Sequence, residues 1–184
     1  MRKFAPTELN NFFQALDAEL TAPATVNLIG GSALSFYAPE HSTNDIDYVG
    51  NAASFEQACA RLESKKSIAM LPLQRVAVHQ PPEGFEDRWE KAPFVPPLQR
   101  LTVLIPERHD LALMKISRGF THDLEGVYEL HSVRALELKT LVERYLLTWV
   151  TGSRADFRIS FLLAIEKMFG KTVADTVEAQ IGQR

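Results

Sequence analysis

Apolar residues recur at three- and four-residue steps through Leu9, Phe12, Phe13, Leu16 and Leu20, which predicts an amphipathic first helix with Thr7 as its cap. "TAPAT" breaks that pattern, and "TVNLI" (25–29) follows as a short β-prone run that stops at Gly30–Gly31. "SALSFYA" (32–38) predicts a short helix and "HSTND" a turn. "DIDYV" (45–49) alternates, with Ile46 and Tyr48 on one face and Asp45 and Asp47 on the other. Ser54 and Gln57 have the spacing of a capping box for a helix over 55–66 that buries Phe55, Cys59 and Leu62. Residues 67–106 read as strands and loops: "SIAMLPL", "RVAVHQ" and "RLTVLI" (100–105). Between the last two, "PPEGFEDRWEKAPFVPP" is too long and too proline-rich for a tight hairpin, and is expected to flank the sheet or border a cleft.

From residue 107 the period changes to that of helices, predicted near 107–118, 122–131, 133–150, 154–169 and 172–181, with Gly152 and Gly170 at two of the breaks. The expected fold class is mixed α/β (α+β), with an α/β core over 1–106 and a helical region over 107–184 packed on it. Phe157, Phe161, Ile165 and Phe169, with Leu162 and Met168, form a wide apolar stripe. It reads as bundle core or as a subunit or partner interface. Trp149 reads as core.

Composition narrows the function classes. A chain of 184 residues suits one core with a helical extension. A net charge of −3 provides no general field for polyanions, which disfavours a dedicated nucleic-acid binder. The single cysteine, Cys59, excludes an intrachain disulfide and a four-cysteine zinc site. No long apolar stretch occurs at the N-terminus or elsewhere, so the expected location is the cytoplasm, away from membranes.

The chemistry concentrates in "LIGGSALSFYAPEHSTNDIDYV" (28–49). Carboxylates at i and i+2 on a strand point the same way, roughly 6–7 Å apart, within reach of one magnesium ion. Side by side they repel unless a cation or solvent compensates. A glycine pair lets backbone N–H groups approach phosphate, and Ser32 adds a hydroxyl. Each piece also has an ordinary reading, a strand-to-helix turn and an aspartate-rich loop. Asp47, however, lies between Ile46 and Tyr48 inside the strand-like run.

In this order and spacing, the Gly-Gly-Ser and Asp-x-Asp elements resemble the signature of the nucleotidyltransferase superfamily, with its DNA polymerase β-like fold. "ERHDLALMKISRGFTHDLEGVYEL" (107–130) is similar to a segment of the DUF6036 nucleotidyltransferase-like proteins and of AbiEii-type toxins from toxin–antitoxin and phage-defence systems, through Asp110, Leu111, Lys115, Arg118 and Asp123. "PEGFEDRW" resembles the same family. The resemblance implies that Gly30, Gly31 and Ser32 contact the triphosphate and that Asp45 and Asp47 hold Mg²⁺ or Mn²⁺. It further implies that Lys115 pairs with phosphate, with Arg118 and Asp123 in the nucleotide site, Asp123 completing the acidic wall or orienting Lys115. Read from the residues alone, Lys115 either seeks an anion from an apolar helix or snorkels to solvent, and Arg118 with Asp123 can equally be a structural ion pair. His109 and His122 read as surface positions near helix starts.

Two features depart from the family pattern. Its members carry a third carboxylate on a later strand, whereas "RLTVLI" has none and Glu107 and Asp110 lie just beyond its end. The relatives' last aspartate is replaced by Gly126, and Glu125 points about 100° away around the helix. The expected function is magnesium-dependent transfer of a nucleoside monophosphate from a nucleoside triphosphate to a hydroxyl of a protein, RNA or small molecule. The alternative is a nucleotidyltransferase fold that has lost catalysis and binds nucleotide or a protein. A toxin–antitoxin component with a cognate protein partner is a third reading.

Overall fold

In the computed structural model, which describes residues 3–66 and 70–182, Pro6 opens the first helix and Glu8 reaches back to accept from the Ala5 N–H at 3.0 Å. Thr7 therefore lies inside the first turn of α1 (Pro6–Glu19) rather than capping it. The order continues β1 (Ala24–Leu28), α2 (Gly30–Leu34), β2 (Ile46–Val49), α3 (Ala53–Lys65), β3 (Leu73–Arg75), β4 (Trp89–Lys91) and β5 (Leu101–Pro106). Five helices follow: α4 (Arg108–Arg118), α5 (Thr121–Val133), α6 (Leu138–Leu146), α7 (Arg154–Phe169) and α8 (Lys171–Ile181). The fold is α+β, as the sequence pattern indicates.

The chain divides into two compact units, the first formed by Met1–Ala77 with Trp89–Pro106 and the second by Val78–Arg88 with Glu107–Arg184. Sequence order places residues 78–88 with the sheet, but they cluster with the helices. Glu83 N–H donates to Leu147 O at 3.0 Å, and the Gln80 side chain donates to Thr151 Oγ1 at 3.1 Å.

In the first unit the strands run in the order β3-β2-β1-β5-β4. β1 is parallel to β5 and antiparallel to β2, β2 is parallel to β3, and β4 is antiparallel to β5. Leu9, Phe12, Phe13 and Leu16 of α1 and Phe55 and Leu62 of α3 are buried, together with Val26, Leu28, Val103 and Ile105 of the sheet. Asp17 of α1 is also buried, and its carboxylate accepts from the N–H groups of Gln99, Arg100 and Leu101 at 3.0, 2.7 and 2.6 Å. Burial pushes the Asp17 pKa up, but the three backbone donors prevail and lower it. Asp17 thus fixes the start of β5.

Several boundaries differ from the pattern. α3 begins at Ala53 with Asn51, not Ser54, accepting at its start (3.3 Å). "RVAVHQ" yields strand only at Arg75, and β4 lies inside the proline-rich connection. The first part of "SIAMLPL" (67–69) lies outside the described residues. Cys59 is 3% exposed, and burial raises its thiol pKa to about 12, as befits a core residue.

In the second unit α4 packs against α5, α6 and α7, and α7 against α5 and α8. Tyr145 stacks on Phe161 at 4.1 Å and lies 4.8 Å from Phe157, forming the aromatic centre of that core. Trp149, by contrast, is 67% exposed, because α6 stops at Leu146 instead of running to 150. Among the described residues no helix is long and apolar enough to cross a membrane.

Candidate functional site

β1 ends at Leu28, and Ile29 adds one more rung by donating its N–H to Asp47 O at 2.9 Å. That bond brings the residues just after β1 alongside the middle of β2. Gly30 then turns the chain at φ 66°, a left-handed conformation that favours glycine. A Cβ on Gly30 would sit 2.3 Å from Asp47 Oδ2, so only a hydrogen leaves room for the carboxylate. A Cβ on Gly31 would meet Thr43 Oγ1 at 2.9 Å and His41 Nε2 at 3.6 Å. The bend at Gly30 and the Asp47 carboxylate are therefore immediate neighbours, while Gly31 faces Thr43 and His41.

The two aspartates differ in how they are held. Ile46 and Tyr48 are 0% and 4% exposed, and Asp47 lies half-buried on the opposite face, as strand alternation requires. Asp45 stands in the bend before β2, so the pleat that orients Asp47 does not extend to it. Its carbonyl accepts from Thr43 Oγ1 at 2.9 Å, and Thr43 is in turn tied to Phe4 by two backbone bonds of 2.7 and 3.1 Å. Asn44, between them, has a buried Oδ1 without a hydrogen-bond partner. Ser32 is fully buried and its hydroxyl donates to Ile29 O at 3.0 Å, so its hydrogen closes the turn.

The register shows which residue stands beside Asp47. Asp47 pairs with Gln74 of β3, and registered residues of parallel strands share a face about 5 Å apart. The neighbour on that face is a carboxamide. β5, the strand on which the sequence directs the search for a third carboxylate, pairs with β1 and is two strands removed from β2. Among the described residues no group of three His, Cys, Asp or Glu side chains is close enough to share a metal ion.

Lys115, Arg118 and Asp123 belong to the second unit. Lys115 and Asp123 are 5% and 1% exposed, and the ammonium donates to Asp123 Oδ1 at 3.2 Å. Arg118 Nε lies 3.0 Å from Asp123 Oδ2, yet that oxygen has no aligned hydrogen bond. His122, with a side chain 70% exposed, is a surface residue at the start of α5. Gly126 is buried, one turn after Asp123 on the same helix.

A family described as "nucleotidyltransferase of unknown function (DUF6036)" matches residues 7–169. The chain belongs to this family. No curated protein and no solved structure matches it. Within this DUF6036 nucleotidyltransferase, the match spans both the glycine–aspartate site of the first unit and the lysine–aspartate pair of the second.

The same second unit holds a charge network that sequence reasoning missed. Asp110, 0% exposed, receives Arg88 Nε at 2.8 Å and Nη2 at 3.3 Å, and Arg144 Nη1 at 2.8 Å. Arg144 also pairs with Glu107. His109 is 3% exposed rather than a surface position: its Nε2 accepts from Glu137 N–H at 2.9 Å, which leaves Nδ1 as donor to Glu107 Oε1 at 2.7 Å. Burial alone would raise the Glu107 pKa, but the His109 hydrogen bond and the Arg144 charge hold it down at about 2. Glu107 and Asp110, the candidate substitutes for a third carboxylate, are therefore committed to cationic and hydrogen-bonding partners. The legible signal was two acids at i and i+3 opening a helix, a spacing that puts both on one side.

Proposed function

We propose that this DUF6036 protein transfers a nucleoside monophosphate from a nucleoside triphosphate to a hydroxyl acceptor, with a divalent cation held by Asp45 and Asp47. The observation that carries the reading is the packing of the Asp47 carboxylate against the missing Cβ of Gly30. It joins the backbone bend that admits phosphate to a carboxylate of the kind that holds a divalent cation.

The donor set suits a hard cation. Magnesium takes one or two carboxylates and leaves its remaining positions to water and substrate phosphate, so two aspartates suffice. The unmatched buried Oδ1 of Asn44, between Thr43 and Asp45, adds an oxygen that lacks a hydrogen-bond donor. When bound, Mg²⁺ would offset the charge that develops on the phosphates. The chain's own contribution is to hold the bend open and to fix Asp47 through the β1–β2 ladder. In the transfer, the acceptor oxygen bonds to the α-phosphorus as the bond to the bridging oxygen breaks, releasing pyrophosphate and a proton to solvent.

For Ser32 the buried hydroxyl supports a role in shaping the turn, alongside the phosphate contact that the resemblance implies. For Lys115 the reading keeps a phosphate partner, and the buried Lys115–Asp123 pair supports Asp123 as the residue that orients it. Arg118 and a place in a toxin–antitoxin or phage-defence system belong to the same proposal.

One observation favours a second reading, nucleotide or partner binding without catalysis: the position beside Asp47 is Gln74 rather than an acid. Incubation with Mg²⁺, each α-labelled nucleoside triphosphate and cell extract separates the two. Transfer predicts label on an acceptor that falls at least 100-fold in Asp47→Ala. Nucleotide binding with no label transferred in any mixture supports the second reading and overturns the first.

A further inference from the structure

Between Phe4 and Ala60 the chain contains no lysine or arginine, while it carries Glu8, Asp17, Glu19, Glu40, Asp45, Asp47 and Glu56. Both halves of the glycine–aspartate site fall in this stretch. The one side chain within it that can bear a positive charge is His41. It stands at the site: its Nε2 is 3.6 Å from the Cβ position of Gly31, beside the glycine whose Cβ position Asp47 occupies. The backbone anchors it, since His41 N–H donates to Ala38 O at 2.9 Å, and the residue is half-buried with part of its surface in solvent. Arg75 of β3 does not serve the same face, because it is registered with core-facing Tyr48, one residue out of phase with Asp47.

The charge balance makes this position informative. One divalent cation only offsets the two aspartates, so beyond the Lys115 contact of the proposed reading the several negative charges of a triphosphate fall to donors of the chain beside the bend. A nitrogen donor near the glycine bend would add to that balance, and imidazole has at least one N–H in either protonation state. We propose that His41 is a phosphate-contacting residue of this site, donating an N–H to an oxygen of the polyphosphate chain next to Gly31. The assignment rests on the nucleotidyl-transfer reading and extends it to a residue outside the glycine–aspartate signature.

The test titrates the full chain by calorimetry with inorganic tripolyphosphate in the presence of Mg²⁺, a probe with the phosphate chain but no base, and separately with Mn²⁺ alone. His41→Ala is expected to weaken tripolyphosphate binding about tenfold while leaving Mn²⁺ affinity and the thermal midpoint as in wild type. His41→Gln and His41→Arg, which keep an N–H donor, are expected to recover most of that affinity. Unchanged binding by His41→Ala, where Asp47→Asn has lost it, overturns the assignment and leaves nucleotidyl transfer standing. Loss of Mn²⁺ binding in His41→Ala, or a loss that neither Gln nor Arg recovers, also overturns it. Wild-type protein that binds neither probe overturns the assignment together with the reading beneath it.

Discussion

Replacing Asp110 with alanine is expected to destabilise the second unit by about 3 kcal/mol, seen as a fall of roughly 15 °C in its thermal midpoint. Asp110 is wholly buried and is the shared acceptor of Arg88 and Arg144, whose side chains are 27% and 21% exposed. Removing it leaves two guanidiniums facing each other without their common counter-charge. Partial access to water keeps the loss at the lower end of the range for broken buried pairs. Asp87, exposed and one residue from Arg88, serves as the control, and Asp87→Ala should change stability by less than about 0.5 kcal/mol. Acid should act through the same network. Glu107 titrates at about 2 in the folded chain, below the ordinary carboxylate value of 4.5. Its stabilisation is therefore complete above about pH 4.5 and lost as pH falls towards 2. Denaturant titrations at pH 7, 4 and 2.5 should show that decline in wild type, and a smaller one in Glu107→Gln.

Gly30→Ala is expected to cost stability and function together although it removes no functional group. The left-handed backbone costs an alanine about 1–2 kcal/mol, and the added methyl collides with Asp47 Oδ2. Either the bend opens or the carboxylate moves, and both spoil the geometry on which cation binding depends. The expected result is a loss of about 2–3 kcal/mol in chemical denaturation. Mn²⁺ affinity should fall at least tenfold in the fraction that remains folded. Gly152→Ala, with open space around the position, should do neither. A Gly30→Ala protein with wild-type Mn²⁺ affinity would mean that Asp47 is not the ligand.

The fold was legible wherever one physical signal dominated. Leu9, Phe12, Phe13 and Leu16 marked α1 because a stripe at helical spacing had to be buried. The run 154–169 gave α7 its limits because Ser153 caps it and Gly170 ends it. β4 was hidden because its ladder to β5 depends on partners far along the chain, and three residues carry no readable alternation. The closeness of Gly30 to Asp47 was legible, because a glycine after the first strand and an acid within the second fall side by side once the two strands pair. The place of Gln74 was not legible, since it becomes a neighbour of Asp47 only through strand order. The burial of His109 and the partners of Asp110 were hidden for a related reason: a helix start shows no counter-charge until Arg88, Glu137 and Arg144 arrive from elsewhere in the sequence.

In the proposed function Asp45, Asp47 and the Gly30–Gly31 bend form a single cation-and-phosphate pocket. Electron paramagnetic resonance of Mn²⁺, which reads loss of the free-ion signal, addresses it most directly. Wild-type protein should capture Mn²⁺, and should hold it more tightly when a non-hydrolysable nucleoside triphosphate is added. Asp45→Ala/Asp47→Ala should leave the ion free in both conditions while retaining the wild-type circular dichroism spectrum. A free-ion signal that is the same for wild type and the double variant, with or without nucleotide, would mean that no such pocket exists.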